Sequence, residues 1–406
     1  MNTGDRAAQR VPPDAGTSMA PLPDPPLAPG PPIEGSAIGT VPHVPEREPH
    51  IPPESLFRKR LRKFRRLKRG YYSFVFIVGA YMLSFLLPII ANNVPLAVRY
   101  NGRFYFPLVT FYPASQFGQA AFGDPDYRAL RQEFRQSGQG NWVLMPPIPY
   151  GPNEGLLNAT EPPPNAPTGA HLFGTDDRGR DVLVRLAYGF NISLTFALLV
   201  TFLGNITGVA VGAALGYFGG RIDIVGQRGI EIWSSLPFLY TIMIMSSIIV
   251  PIYLPGKIAL LQPSLWLLVA ILAAFDWMAI TFYIRGEFYR EKAKDYVGAA
   301  IATGVSESGI MFRHILPNAL TPVVSFMPFE IVANISALVA LDFLGFGLPA
   351  PTPSWGELIG QGTENLTKWW LVLYPLGVLF LTLLLVVFIG EAIREAFDPK
   401  EFSRLR

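Results

Sequence analysis

Read from one end to the other, the chain alternates between long apolar blocks and short polar breaks, with little of the two- or three-residue periodicity that marks amphipathic elements. A helix crossing a hydrocarbon layer about 30 Å thick needs about 20 apolar residues. Six stretches meet that length, near 71–91, 189–217, 232–254, 264–284, 319–341 and 369–390. The third and fourth are separated only by "PGKIALLQP". The second is long and carries Gly204, Gly208, Gly212 and Gly216. Glycines spaced by four make a smooth stripe on one helix face, suited to close packing against a neighbour or to gating.

Composition supports this pattern. Apolar residues make up 50% of the 406 positions and charged residues 16%, below the roughly 25% charged of soluble domains. The expectation is an all-α integral membrane protein with six transmembrane helices, a cytoplasmic coupling helix and a small extracytoplasmic insertion after the first span. A net charge of +3 is too small to suggest nucleic acid as a partner, and the chain has no cysteine, which excludes disulfides, thiolate metal sites and cysteine nucleophiles. The histidines lie apart at His43, His50, His171 and His314, so no metal site is expected.

Residues 1–55 are Pro-rich ("PLPDPPLAPGPPIEG") and carry few large apolar groups. Such a segment cannot bury enough surface to offset ordering, and reads as a disordered cytoplasmic tail or a proline-rich docking peptide. Residues 56–91 add a basic segment, "RKRLRKFRRLKR", to the first span. A dense basic run beside a span marks the cytoplasmic side. Counting spans then places 92–188 outside, 285–318 inside and the tail 391–406 inside, with both termini cytoplasmic. Arg285, Arg290, Lys292, Lys294 and Arg313 fall on that inner side.

The longest inner loop holds "KDYVGAAIATGVSESGIMFRHILPNALTP". Asp295 to Ala302 has helical composition, Gly304 suits a left-handed residue past a helix end, and Ser306 suits a cap for a second short helix. Pro317 is expected to terminate that helix. A two-turn helix needs something to pack on, and Gly298, Ala299, Ala300 and Ala302 permit close approach. From spacing alone, a structured loop and a docking element for a cytoplasmic partner both remain open.

This stretch resembles the coupling loop of the membrane subunits of binding-protein-dependent ABC importers. Gly298-Ala299-Ala300, Gly304 and Leu316-Pro317 stand where that family has Glu-Ala-Ala, a glycine and Leu-Pro; the glutamate is replaced by Gly298. "FGTDDRGRDVLVRLAYGFNISL", "RHILPN", "LDFLGFGLPAPTPSWGELI" and "GEAIREAFDPK" resemble, in that order, segments of the oligopeptide/dipeptide branch. "NNVPLAVRYNGRFYFPL" is similar to the microcin C-type peptide permeases within it. The resemblance covers the chain from the first span onward.

The resemblance implies a type-1 permease domain over 189–390, with loop 285–318 docking a separate ATPase through Gly298, Ala299, Ala300, Gly304, Arg313, His314 and Pro317. It implies ATP-binding cassette subunits, a second permease subunit and an extracytoplasmic peptide-binding protein as partners, within the lipid bilayer. No phosphate-cradling G-x-x-x-x-G-K-[ST] occurs, so ATP is expected on other polypeptides; this chain is expected to be no enzyme and to bind no cofactor. A permease for a dipeptide or nickel, and a non-ABC secondary transporter, are the alternatives.

Other features stand out. Residues 172–186 read as an interfacial amphipathic helix capped by Thr175 or Asp176, with Val182, Leu183 and Leu186 on one side and Arg180 and Arg185 on another, ending the insertion; contact with the binding protein is the sharper alternative. Segment 92–170 is long enough for a small subdomain with some strand. Glu330 puts a carboxylate in the fifth span and Asp276 one in the fourth. Intramembrane ionisable groups face a water-filled path or a partner, so both are candidates for the translocation path. Trp369 and Trp370 beside Lys368 read as an interfacial anchor.

Overall fold

The computed structural model describes residues 56–120, 123–138, 140–155, 161–248 and 264–397. Expectations for 1–55, for 249–254 in the third span and for most of the 391–406 tail lie outside them. The described part is mostly helical, with one small sheet.

Helix α1 (Leu56–Arg66) is followed by a non-helical Leu67, then α2 (Lys68–Ser84), a turn and the short α3 (Leu87–Ile90). The chain next builds a subdomain. Strands β1 (Ala97–Tyr100) and β2 (Arg103–Tyr105) form a hairpin across Asn101-Gly102, and β3 (Trp142–Leu144) pairs antiparallel on the other side of β1. Both turn residues have positive φ, +47° and +76°, the geometry that Asn-Gly supplies in two-residue hairpins. Helix α4 (Tyr127–Ser137) is capped by Asp126, whose side chain accepts from the backbone N–H groups of Arg128 and Ala129. Its Leu130 and Phe134 close a core with Val98, Phe117 and Val143.

The remaining helices are α5 (Val182–Phe218), α6 (Gly220–Ser234), α7 (Phe238–Ile248), α8 (Leu265–Lys292), α9 (Asp295–Ala302), α10 (Glu307–Gly309), α11 (Leu316–Ala319), α12 (Thr321–Phe343), α13 (Trp355–Glu364) and α14 (Trp370–Phe397). Among the described residues, α5, α8, α12 and α14 are long and apolar enough to cross a membrane. The stretch expected as the first span is divided between α2 and α3. The one expected as the third is broken at Pro237, which has no N–H to continue α6.

Three expectations are corrected here. No interfacial helix spans 172–186: residues 172–181 are irregular, with positive φ at Gly174 and Gly179. The helix begins at Val182 as the first turn of α5, and its cap is Asp181, not Thr175 or Asp176. Arg180 and Arg185 are buried rather than facing water, because nearby Asp176 and the sequence-distant Glu357 pair with them. The insertion therefore does not end in a helix of its own, and the expected boundary at 188/189 falls inside α5. Third, Pro317 does not end a helix. It lies in the first turn of α11, where its missing N–H costs nothing.

The core of the bundle is the pairing of α5 with α8. A Cβ built on Gly212 would lie 2.6 Å from the Thr281 carbonyl oxygen, and one on Gly216 2.6 Å from Phe288 Cβ. Gly204 and Gly208 meet Asp276 and the Trp277–Ile280 turn in the same way. The glycine stripe brings two backbones together, and Thr281 Oγ1 donates across it to the Gly208 carbonyl at 3.2 Å. Helix α12 packs on α5 and α14, and α14 packs on α2, where Gly70 lies against Ala392.

Candidate functional site

Three groups of residues are candidates, one at each end of the bundle and one in its middle. The first is the segment after α8. That helix runs two turns past its expected end and stops at Ala293. Buried Glu291 accepts from Lys294 Nζ (2.6 Å) and from the Tyr296 hydroxyl (2.8 Å), which fixes where α9 departs. Burial raises the pKa of the Tyr296 phenol above its ordinary value, with Glu291 adding to the shift. Helix α9 has the expected bounds. Gly304 is left-handed at φ +78°; Val305 N donates to the Ala300 carbonyl and Gly304 N to that of Ile301, closing the helix as a Schellman motif. Ser306 Oγ then accepts from Gly309 N at 3.3 Å, as its position suggested.

After α10 the chain takes one wide π-helical stretch, Ile310–Ile315, before α11. Val297, Ala300, Ile310, Ile315 and Ala319 turn inward onto Ile284 and Phe288 of α8. Of the residues expected to dock a partner, Gly298, Ala299, Gly304, Arg313 and Pro317 are exposed. Ala300 is not: it is part of the inner cluster. His314 is half-buried, and its carbonyl accepts from Asn318 Nδ2 at 3.1 Å. Sequence reasoning missed Ile301 and Phe312, which are 59% and 58% exposed beside the small residues. Their mismatch with a water-facing loop was a usable signal.

The second group lies within the bundle. Asp276 on α8 and Glu330 on α12 share one polar cluster with Thr201 and Asn205 of α5 and Asn334 of α12. Asn205 Nδ2 donates to Glu330 Oε2 at 2.5 Å, and Asn334 Nδ2 to Thr201 Oγ1 at 3.0 Å. Asp276 approaches over Gly204, and Asn334 is within hydrogen-bonding reach of it. Asp276 Oδ2 and Asn205 Oδ1, both acceptors, have no protein partner. The sequence carried a trace of this group: Thr201/Asn205 and Glu330/Asn334 are each polar pairs at i and i+4, on one face of an apolar helix.

The third group lies at the insertion end. Arg180 Nε donates to Asp176 Oδ2 at 2.7 Å and its Nη2 to Glu357 Oε1 at 2.9 Å. Arg185, fully buried, pairs with the other Glu357 oxygen and donates to the Pro152 carbonyl at 2.9 Å. Burial lowers the Arg180 pKa, but Asp176 and Glu357 outweigh it and hold the guanidinium above its usual value. Burial, then the Asp176 charge, raises Asp177. Trp355 Nε1 donates to the Leu186 carbonyl (3.0 Å) and Trp370 Nε1 to that of Thr175 (3.2 Å). Two segments some 170 residues apart are thus locked together, and Ser354 caps α13 beside them. Trp370 is buried, so of the two tryptophans only Trp369, 51% exposed, is free to meet an interface.

No group of His, Asp or Glu among the described residues could hold a metal ion. The geometry is that of a membrane bundle with a hydrogen-bonded lock at the insertion end, a buried polar crossing and a structured loop between two spans. Residues 204–402 match the family model described as the inner membrane component of binding-protein-dependent transport systems. The chain belongs to this family and is a multi-pass membrane permease component. It is 41% identical over 341 residues to the inner membrane ABC transporter permease protein YejE of Escherichia coli, covering 84% of this chain and 96% of that protein. It is 36% identical over 392 residues to the peptidoglycan transport system permease protein YejE of Agrobacterium fabrum, covering 90% and 98%. The oligopeptide transport system permease protein OppC of Haemophilus influenzae is 36% identical over 239 residues, 58% of this chain and 73% of that one.

Proposed function

We propose that the chain is one of two permease subunits of an ATP-driven importer, and that it forms part of the membrane path for oligopeptides or peptide-bearing compounds. Its six spans, two of them formed by the α2–α3 unit and by the stretch that holds α7, leave both termini in the cytoplasm. A periplasmic binding protein delivers the ligand to the insertion end, and ATP is bound and hydrolysed by separate subunits at the opposite end. The relatives' names support a peptide class, with peptidoglycan fragments as a second reading favoured by the A. fabrum relative.

The observation that carries the reading is the segment 295–320. Gly298 and Ala299 present a nearly bare backbone, flanked by exposed Ile301 and Phe312, on a base packed against α8 and leading into α12. A small-faced helix with apolar neighbours fits a groove in a partner. Push on it, and the load passes to α8 through Val297 and to α12 through Ala319. Gly298, Ala299, Gly304, Arg313 and Pro317, all exposed, are the docking residues; buried Ala300 and half-buried His314 shape the segment from inside.

The test is co-purification from native membranes in detergent, with mass spectrometry of what accompanies the tagged chain. An ATPase and a second permease are the expected companions of the wild type. Ala299→Asp, on the exposed face, should release the ATPase while leaving the permease partner and the helix content unchanged. Retention of the ATPase by Ala299→Asp and by Phe312→Asp alike would overturn the docking assignment. Separately, uptake of labelled tri-alanine by the reconstituted system, competed by a muramyl peptide, separates the two ligand classes.

A further inference from the structure

The basic run ahead of the first span has a surface of its own. Helix α1, LFRKRLRKFRR, holds seven basic residues and no acidic one. It is not a continuation of α2: Leu67, at φ −79° and ψ 79°, breaks the two apart. One side is fastened to the bundle. Lys63 Nζ donates to the Glu395 carbonyl of α14 at 2.7 Å, Arg60 lies 4.6 Å above the Phe397 ring, and Phe64 packs edge-on against Phe74 of α2 at 5.8 Å. The other side exposes Arg58, Lys59, Arg62, Arg65 and Arg66, with Lys68 and Arg69 just beyond the break. Arg58, Arg62 and Arg65 fall on one helical face. Leu61, 40% exposed, lies beside that face.

We propose that α1 is an interfacial helix that gathers anionic phospholipid headgroups of the leaflet it lies on, clamping them between the start of the first span and the end of the last. Two observations select lipid as the occupant. The exposed positions of α2 immediately after the break, Tyr72, Phe74, Val75 and Phe76, are large and apolar, so the helix sits where a bilayer surface begins. A basic amphipathic helix at that level lies in the headgroup plane, and each basic side chain near an anionic surface is worth about fivefold in binding. Arginine forks also take phosphate oxygens in pairs. Only the naming of the leaflet as cytoplasmic rests on the proposed topology; the lipid contact itself does not.

The full-length chain is purified in detergent, given equal amounts of phosphatidylglycerol and phosphatidylcholine, and examined by native mass spectrometry for retained lipid. Phosphatidylglycerol should be retained in preference, and the preference should shrink as salt is raised, since exposed charges are screened. Replacing Arg65, Arg66 and Arg69 together by Gln should cut it on the order of a hundredfold, about fivefold for each charge removed; replacing them by Lys should preserve most of it. Equal retention of both lipids by the wild type, or a preference indifferent to salt, overturns the proposal even if the Gln variant does not fold. A Gln variant that is folded by circular dichroism and keeps the preference overturns it as well. Loss of the ATPase from that variant, with the lipid preference unchanged, would make the face a protein contact instead. Failure of any of these leaves the co-purification test of the permease untouched.

Discussion

At the residue scale, the informative side chains are charged groups that burial would exclude without a partner. Arg285 bonds Asp223 through Nε at 2.5 Å and Nη2 at 2.7 Å, and the Tyr289 hydroxyl donates to the same carboxylate at 2.9 Å. The Arg285 hydrogen bonds hold the Asp223 carboxyl below its ordinary value, against burial, which pulls it up. A carboxylate whose folded pKa is depressed contributes stability that is fully present above its unfolded pKa, about 3.9. That contribution disappears as pH falls through the folded value. Thermal unfolding of the wild type and of Asp223→Asn in detergent should therefore differ by a constant amount from pH 8 to 5, and the gap should close below about pH 4. A gap that narrowed already near pH 6 would assign the stabilisation to some other group. Arg180 and Arg185 belong to the same category, and here sequence reading failed for a definite reason. Their charge suggested water, and nothing near them in the chain announced Glu357 as the counter-ion.

At the element scale, legibility followed the length of the pattern. Long apolar runs located α12 to within two residues at each end, whereas α5 starts seven residues before its expected start and α8 and α14 run about two turns past their expected ends; Gly304 and Ser306 marked the end of α9 and the start of α10 because each has a local geometric role. The phase of α9 was not legible. Small residues cover both sides of it, and which side faces inward is decided by Val297 and Ala300 meeting Ile310 and Ile315, a contact across the loop. The break at Leu67 lay inside the basic run and the one at Pro237 inside an expected apolar span, so the hydrophobic pattern showed neither. The glycine stripe was readable as a packing face, and its energetic weight can be checked. At Gly212 a Cβ would also lie 2.9 Å from Ile284 Cβ, so Gly212→Val overpacks the helix pair and should cost about 1–3 kcal/mol. Gly79→Val, at a position with no neighbouring heavy atom within 4 Å, should leave the melting temperature of the solubilised protein nearly unchanged. Equal shifts for the two would mean that the substitution acts through helix propensity rather than packing.

At the scale of the whole molecule, the polar crossing is the place where α5 and α12 exchange hydrogen bonds beside Asp276 of α8, and neither Asp276 nor Glu330 alone suggested it. The two acceptors without protein partners give the cluster an excess of acceptors over donors, which favours a cationic donor. Glu330→Gln removes the charge and still offers Asn205 an acceptor, so the helices should stay assembled. In proteoliposomes containing the complete importer, uptake of tri-lysine by this variant should fall about tenfold relative to tri-alanine, the scale of one hydrogen bond to a charged group. An equal loss for both peptides would place Glu330 in helix packing, outside the ligand's path.

The spacing of the glycines also limits how the protein can move. Four residues of helix advance about 6 Å, so the contacts of Gly204, Gly208, Gly212 and Gly216 act as a row of notches engaging the turns of α8. A shift of half a notch along the axis would set Thr281 and Ile284 against side chains instead of bare backbone. The pair can therefore tilt or travel as one girder but cannot shear. In the proposed coupling, load arriving at its end through Val297 would be carried along both helices to the level of Asp276, and the sliding that opens a passage would occur along seams that lack such notches.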